Sequence, residues 1–109
     1  GPHGASPHHD VSGRTIERGD VVVVDIGGPL PSGYNSDSTR TYAVGAEPSA
    51  DIREAYAVLQ AAQEASVAAV RPGVTAESVD AAAREPITAA GLGQRFVHRK
   101  AVVVCRLVD

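Results

Sequence analysis

Val21-Val22-Val23-Val24-Asp25-Ile26-Gly27-Gly28, followed after a short loop by Tyr34-Asn35-Ser36-Asp37-Ser38-Thr39-Arg40-Thr41-Tyr42, is the stretch that decides the fold. The β-branched run from Val21 to Ile26 is apolar on both faces and reads as a central strand. Asn35, Asp37, Thr39 and Thr41 alternate along a second strand spanning roughly 34–44. Between them, Gly27-Gly28-Pro29 and Pro31-Ser32-Gly33 carry the residue types of a connecting loop. The two strands are expected to pair as an antiparallel hairpin. With Asp25 opposite Asp37, both carboxylates point to one face and their Cβ atoms lie about 5 Å apart. An acid ending a buried valine run is costly without compensation, and two such acids repel. Either one is protonated or a cation lies between them. A divalent metal is the simplest cation for a pair of hard oxygen ligands.

Outward from the hairpin, residues 1–20 are rich in Gly, Pro, Ser, His and Asp and read as loop and short extended chain. Arg18-Gly19-Asp20 is a turn that launches the first strand. After the hairpin, Gly45 to Pro48 breaks the pattern. Ser49 is placed to cap a helix, with Asp51 and Glu54 favouring its positive start. Ile52, Ala55, Tyr56, Leu59, Ala62, Ser66, Val67 and Val70 recur at helical spacing until Pro72-Gly73 ends the helix. This helix over 49–71 reads as a packing element without chemistry. Thr75 caps a second helix carrying Val79, Ala82, Ala83, Ile87 and Ala90. Pro86 inside that pattern is expected to kink or split it, since an interior proline costs about 3 kcal/mol. Gly91 and Gly93 close the helix, and Phe96-Val97-His98 is expected to begin another strand. Residues 101–105 continue as an apolar run. The fold class is α+β: an antiparallel β-hairpin plus two helices on one face.

With 109 residues the chain is long enough for one small domain. Aromatics are scarce, three Tyr and one Phe with no Trp, so Val, Ala, Ile and Leu must build the core. The net charge of −3 argues against nonspecific nucleic-acid binding. The single cysteine, Cys105, excludes an intrachain disulfide. No signal peptide or membrane-spanning run is visible, so a cytoplasmic protein without a membrane partner is the default expectation.

Taken together, Pro7-His8-His9, Arg18-Gly19-Asp20, Val24-Asp25-Ile26-Gly27, Ser36-Asp37-Ser38-Thr39-Arg40-Thr41 and Phe96-Val97-His98-Arg99 resemble the M24 metallopeptidases. The subgroup that looks most similar is the Xaa-Pro dipeptidases (prolidases) and aminopeptidase P. The resemblance runs from about residue 3 to residue 99, in order and at sensible gaps. It implies part of a pita-bread fold and a dinuclear site for two divalent metals, manganese, cobalt or zinc, held by two Asp, one His and two Glu. Asp25 matches the first aspartate and Asp37 the metal-bridging one. His8 and His98 match substrate-side histidines that hydrogen-bond the peptide or its developing charge. The implied reaction is two-metal hydrolysis of a short peptide with proline beside the scissile bond. Arg40 falls in the family's Thr-Arg-Thr pattern and is expected to be structural.

The chain also departs from the family. His98-Arg99 continues as Lys100-Ala101-Val102 where the family has Thr-Gly-His-Gly, so Val102 stands at the position of the ligand histidine. The two glutamates would lie beyond Asp109. Residues 1–109 are therefore expected to be an internal part of a larger catalytic domain, with a tail over 100–109 unlike the family, as a shifted reading frame or an artificial end would make it. Two further readings stand beside the hydrolase. One is a truncated chain, inactive alone, whose uncovered sheet edges invite a homodimer. The other is a weak metal-binding module using the Asp pair and His8. Cys105 reads as a small buried hydrophobe, and His9 as structural or solvent-facing.

Overall fold

A computed structural model describes residues 1–6 and 9–96 of the chain. The chain divides into two compact units, with the boundary between Ser49 and Ala50.

The first unit is built on an antiparallel ribbon of β1 (Val21–Pro29) and β2 (Asn35–Ala43). Its entry is set by a turn in which the Asp20 amide donates to the Glu17 carbonyl at 3.1 Å, with Gly19 third at φ 93°. A positive φ at that place is what a type II turn requires, and glycine adopts it without a Cβ clash. The Gly19 amide donates to the Val44 carbonyl, and the Val44 amide to that of Asp20, so the ladder extends past the strand ends. The Asp20 side chain locks the turn. It accepts two bonds from the Arg14 guanidinium, at 2.7 and 3.0 Å, and one from the Glu17 amide at 2.9 Å. The Arg14 bonds, and then the Glu17 amide, hold the Asp20 carboxyl below its usual range, at about 2. A depressed carboxyl pKa contributes stability above the unfolded value, and that stability is lost as pH falls through the folded one. The melting temperature of the ribbon is therefore expected to drop as pH is lowered from about 4 towards 2, and Asp20→Asn to flatten this acid limb. Superimposable melting-against-pH profiles of the two chains would refute it.

β1 is longer than the sequence suggests, because Gly27, Gly28 and Pro29 belong to it and not to the loop. A Cβ on Gly27 would run into the Ser36 carbonyl oxygen of the facing strand. The glycine thus marks a close approach of two backbones within a ladder, a different use of the residue from a turn. Next to it, the Ser36 hydroxyl lies 3.2 Å from the Gly28 amide and 3.3 Å from its carbonyl, tying the end of the ribbon. The reversal itself is confined to Leu30–Tyr34. The Gly33 amide donates to the Leu30 carbonyl and the Leu30 amide to that of Tyr34, with Gly33 at φ 86°. Among the described residues β1 pairs only with β2, although its apolar run predicts a central strand. Ile26 is 66% exposed.

The second unit is a helix pair, α1 (Ala50–Ala69) and α2 (Ala76–Ala89). As the sequence predicts, α1 starts directly after Ser49 and ends before Pro72-Gly73. There the Val74 amide closes a turn onto the Arg71 carbonyl, with Gly73 at φ 88°. The Thr75 hydroxyl accepts from the Ser78 amide at 3.1 Å, capping α2 as expected. The buried positions are Ala62 (1% exposed) and Ser66 on α1, with Val79 and Ile87 (5% exposed) on α2. The predicted stripe on α1 is buried only at its small residues. Tyr56, Leu59, Val67 and Val70 stay substantially exposed.

Pro86 neither splits nor ends α2, which runs on to Ala89. It lies in the last turn, and the helix end is secured independently of its missing N–H. The Leu92 amide donates to the Ile87 carbonyl at 3.0 Å and the Gly91 amide to that of Thr88 at 2.9 Å. Gly91, at φ 75°, completes this Schellman closure. A 3-10 turn, Gly93–Arg95, follows and Phe96 closes it, while the rest of the strand expected from Phe96 onwards lies outside the described residues. Arg84, paired with Asp80 at 3.0 and 3.2 Å, lies with its guanidinium 4.8 Å from the centre of the Phe96 ring. Val97 and the apolar run 101–105 lie outside the described residues.

Candidate metal centre

Register determines what the ribbon offers. Asp25 pairs with Thr39, and Gly27 with Asp37. Asp25 therefore does not lie opposite Asp37; the two acids are diagonal neighbours, offset by two residues. The cause is the longer β1. With Gly27 to Pro29 inside the strand, the reversal moves towards Leu30–Tyr34 and every pair shifts with it. An offset of two keeps both side chains on one face, whereas an offset of one would have separated them.

The offset changes the electrostatics. Diagonal positions are about 7–8 Å apart, compared with about 5 Å for a directly opposed pair. Both aspartates are exposed, so Asp25 does not end a buried run as its valines suggest. Two unit charges about 7 Å apart in a water-like medium repel by only about 0.6 kcal/mol. The repulsion is therefore small, and a cation is accommodated without being needed for folding.

The two carboxylates differ in their support. The Thr39 hydroxyl, directly across the ladder, donates to Asp25 Oδ1 at 2.5 Å. Asp37 faces Gly27, which has no side chain to cover it. Sequence reasoning placed Thr39 among the polar alternating positions and gave it no role. Its signal is the spacing, two residues beyond Asp37 on the same face, and it becomes readable only once the register is known. Arg40 Nη1 donates to the Thr39 carbonyl at 2.7 Å, a bond within β2 itself.

As a donor set, two exposed carboxylates on one face fit a hard divalent cation. They do not complete its coordination shell. Among the described residues no three His, Cys, Asp or Glu side chains come together as a metal site. His8 and His98, as well as Val102 and Cys105, lie outside the described residues. Two other histidines, His3 and His9, stack with ring centres 3.9 Å apart, and His9 Nδ1 lies 2.7 Å from the Asp10 carbonyl oxygen. No helix among the described residues is long and apolar enough to cross a membrane.

An antiparallel ribbon presenting two acids on one face is followed in sequence by a helix pair, and its likeness to solved prolidase-type structures makes the chain part of a pita-bread fold. The comparisons with known proteins narrow this to one family. The chain belongs to metallopeptidase family M24, whose model matches residues 1–109. A probable dipeptidase PepE of Mycobacterium bovis is 60% identical over 99 residues, covering 91% of this chain and 26% of that protein. An Xaa-Pro dipeptidase of Lactobacillus delbrueckii subsp. lactis is 43% identical over 99 residues, again covering 91% of this chain and 26% of the relative. Among solved structures, dipeptidase PepE from Mycobacterium ulcerans matches with a TM-score of 0.84 at 59% identity, covering 90% of this chain and 26% of that one. The chain thus spans about a quarter of the length of the curated relatives it matches.

Proposed function

We propose that residues 1–109 form part of an M24 catalytic domain and contribute Asp25 and Asp37 to a divalent-metal site that hydrolyses Xaa-Pro dipeptides. The observation that carries this reading is the placement of both carboxylates on one face of the β1–β2 ribbon, at the positions where the family resemblance expects metal ligands. Similarity to an Xaa-Pro dipeptidase supports the substrate class. When bound, a divalent cation such as manganese, cobalt or zinc supplies Lewis acidity towards the scissile carbonyl and lowers the pKa of a water. The chain's own contribution is a pair of hard anionic donors on a hydrogen-bonded ribbon, one of them fixed by Thr39. His8 and His98 are assigned to the substrate side, as donors to the peptide.

A second reading is favoured by one observation, the absence of a third donor beside the two aspartates among the described residues. It makes these 109 residues a metal-binding segment that is inactive alone. Purified chain incubated with manganese and an Xaa-Pro dipeptide separates the two. Turnover that disappears on chelation and in Asp25→Asn supports the hydrolase. Calorimetric metal binding without turnover supports the second reading. Neither binding nor turnover removes the metal assignment altogether.

A further inference from the structure

We infer that Thr39 is a positioning residue for the metal site, acting through Asp25; this rests on the metal assignment proposed above. Thr39 Oγ1 donates to Asp25 Oδ1 at 2.5 Å, directly across the ribbon. That is at the short end of the range for an O–H···O hydrogen bond. An exposed aspartate otherwise samples several rotamers, and each costs entropy to recover when a ligand must be bound. The hydroxyl removes much of that freedom. It engages one carboxylate oxygen and leaves the other for a cation. Threonine suits the position because it is β-branched, fits a strand, and has few χ1 states of its own. Asp37, facing Gly27, has no such partner across the ladder. The structure therefore assigns the two acids different degrees of preorganisation, with Asp25 as the ordered donor.

The test compares Thr39→Val, which keeps shape and strand preference but removes the hydroxyl, with Thr39→Ser, which keeps the hydroxyl. Manganese affinity is measured by calorimetry on the purified chain, with Asp25→Asn as reference. Losing a hydrogen-bonding partner of a metal ligand lowers affinity by about 10–100-fold. Thr39→Val is expected to fall by about tenfold, at the lower end for an exposed site, and Thr39→Ser to stay within about twofold. A readout without metal is also expected to respond: the side-chain carboxyl carbon resonance of Asp25 shifts in Thr39→Val and stays in place in Thr39→Ser. If Asp25→Asn lowers affinity while Thr39→Val matches the parent, the role of Thr39 is refuted and the metal assignment survives. If Asp25→Asn leaves affinity unchanged, both are refuted.

Discussion

Asp37→Asn is expected to weaken manganese binding by about thirtyfold. The substitution keeps an oxygen donor and nearly the same shape, so its main effect is to remove one negative charge. A divalent ion about 4 Å from a unit charge gains about 2 kcal/mol even at the dielectric constant of water. Because Asp37 is exposed, that screened figure applies and not the larger one for a dry interior. A difference of about 2 kcal/mol corresponds to about thirtyfold in affinity. Asp25→Asn carries the same charge loss and also removes the anionic acceptor of the Thr39 bond, so its deficit should be at least as large. Calorimetric titration at low ionic strength measures both, and the deficit should shrink with added salt as exposed charges are screened. An Asp37→Asn affinity equal to that of the parent would remove Asp37 from the donor set.

Ile87→Ala is expected to destabilise the helix pair by about 2–3 kcal/mol. Ile87 is the larger of the two buried aliphatic side chains on α2. It lines an apolar hollow with Ala55, Leu59, Leu92 and Phe96. Removing buried methyl and methylene groups costs both their transfer free energy and the cavity left behind, about 2–5 kcal/mol for Ile→Ala. The hollow leaves neighbours room to relax, which places the expectation in the lower half of that range. Stability of small domains is only about 5–15 kcal/mol, so this loss is a large fraction of it. Urea unfolding followed by helical circular dichroism measures the change. A midpoint within error of the parent would mean that Ile87 does not anchor the pair.

Where a feature depends on a few adjacent residues, the sequence already discloses it. The turn at Glu17–Asp20, the end of α1 before Pro72-Gly73 and the Thr75 cap are settled by local φ preferences and by side chains reaching amides three residues away. The binary pattern likewise disclosed two strands, two helices and an acid on each strand. Pro86 was misleading because the end of α2 is held by bonds that do not involve its missing N–H. In the last turn of α2 the Schellman closure at Gly91 holds the end regardless of the proline. The α1 stripe was only half informative, since periodicity names a face but not how much of it is covered. His8 and His98 were legible as candidates by resemblance alone.

Asp25 and Asp37 show where sequence stops and tertiary structure begins. The sequence by itself led to the expectation that both acids share a ribbon face. That expectation survives because the register differs from the expected one by two residues, where a shift of one would have separated them. The sequence could not determine whether they stood opposite or diagonal. That turned on whether Gly27-Gly28-Pro29 was loop or strand, and both uses of glycine look alike in a string of letters. Only the facing strand decided it: the Ser36 carbonyl occupies the space a Cβ on Gly27 would need. Glycine there lets the backbones close, the ladder runs on to Pro29, and Thr39 takes the place opposite Asp25.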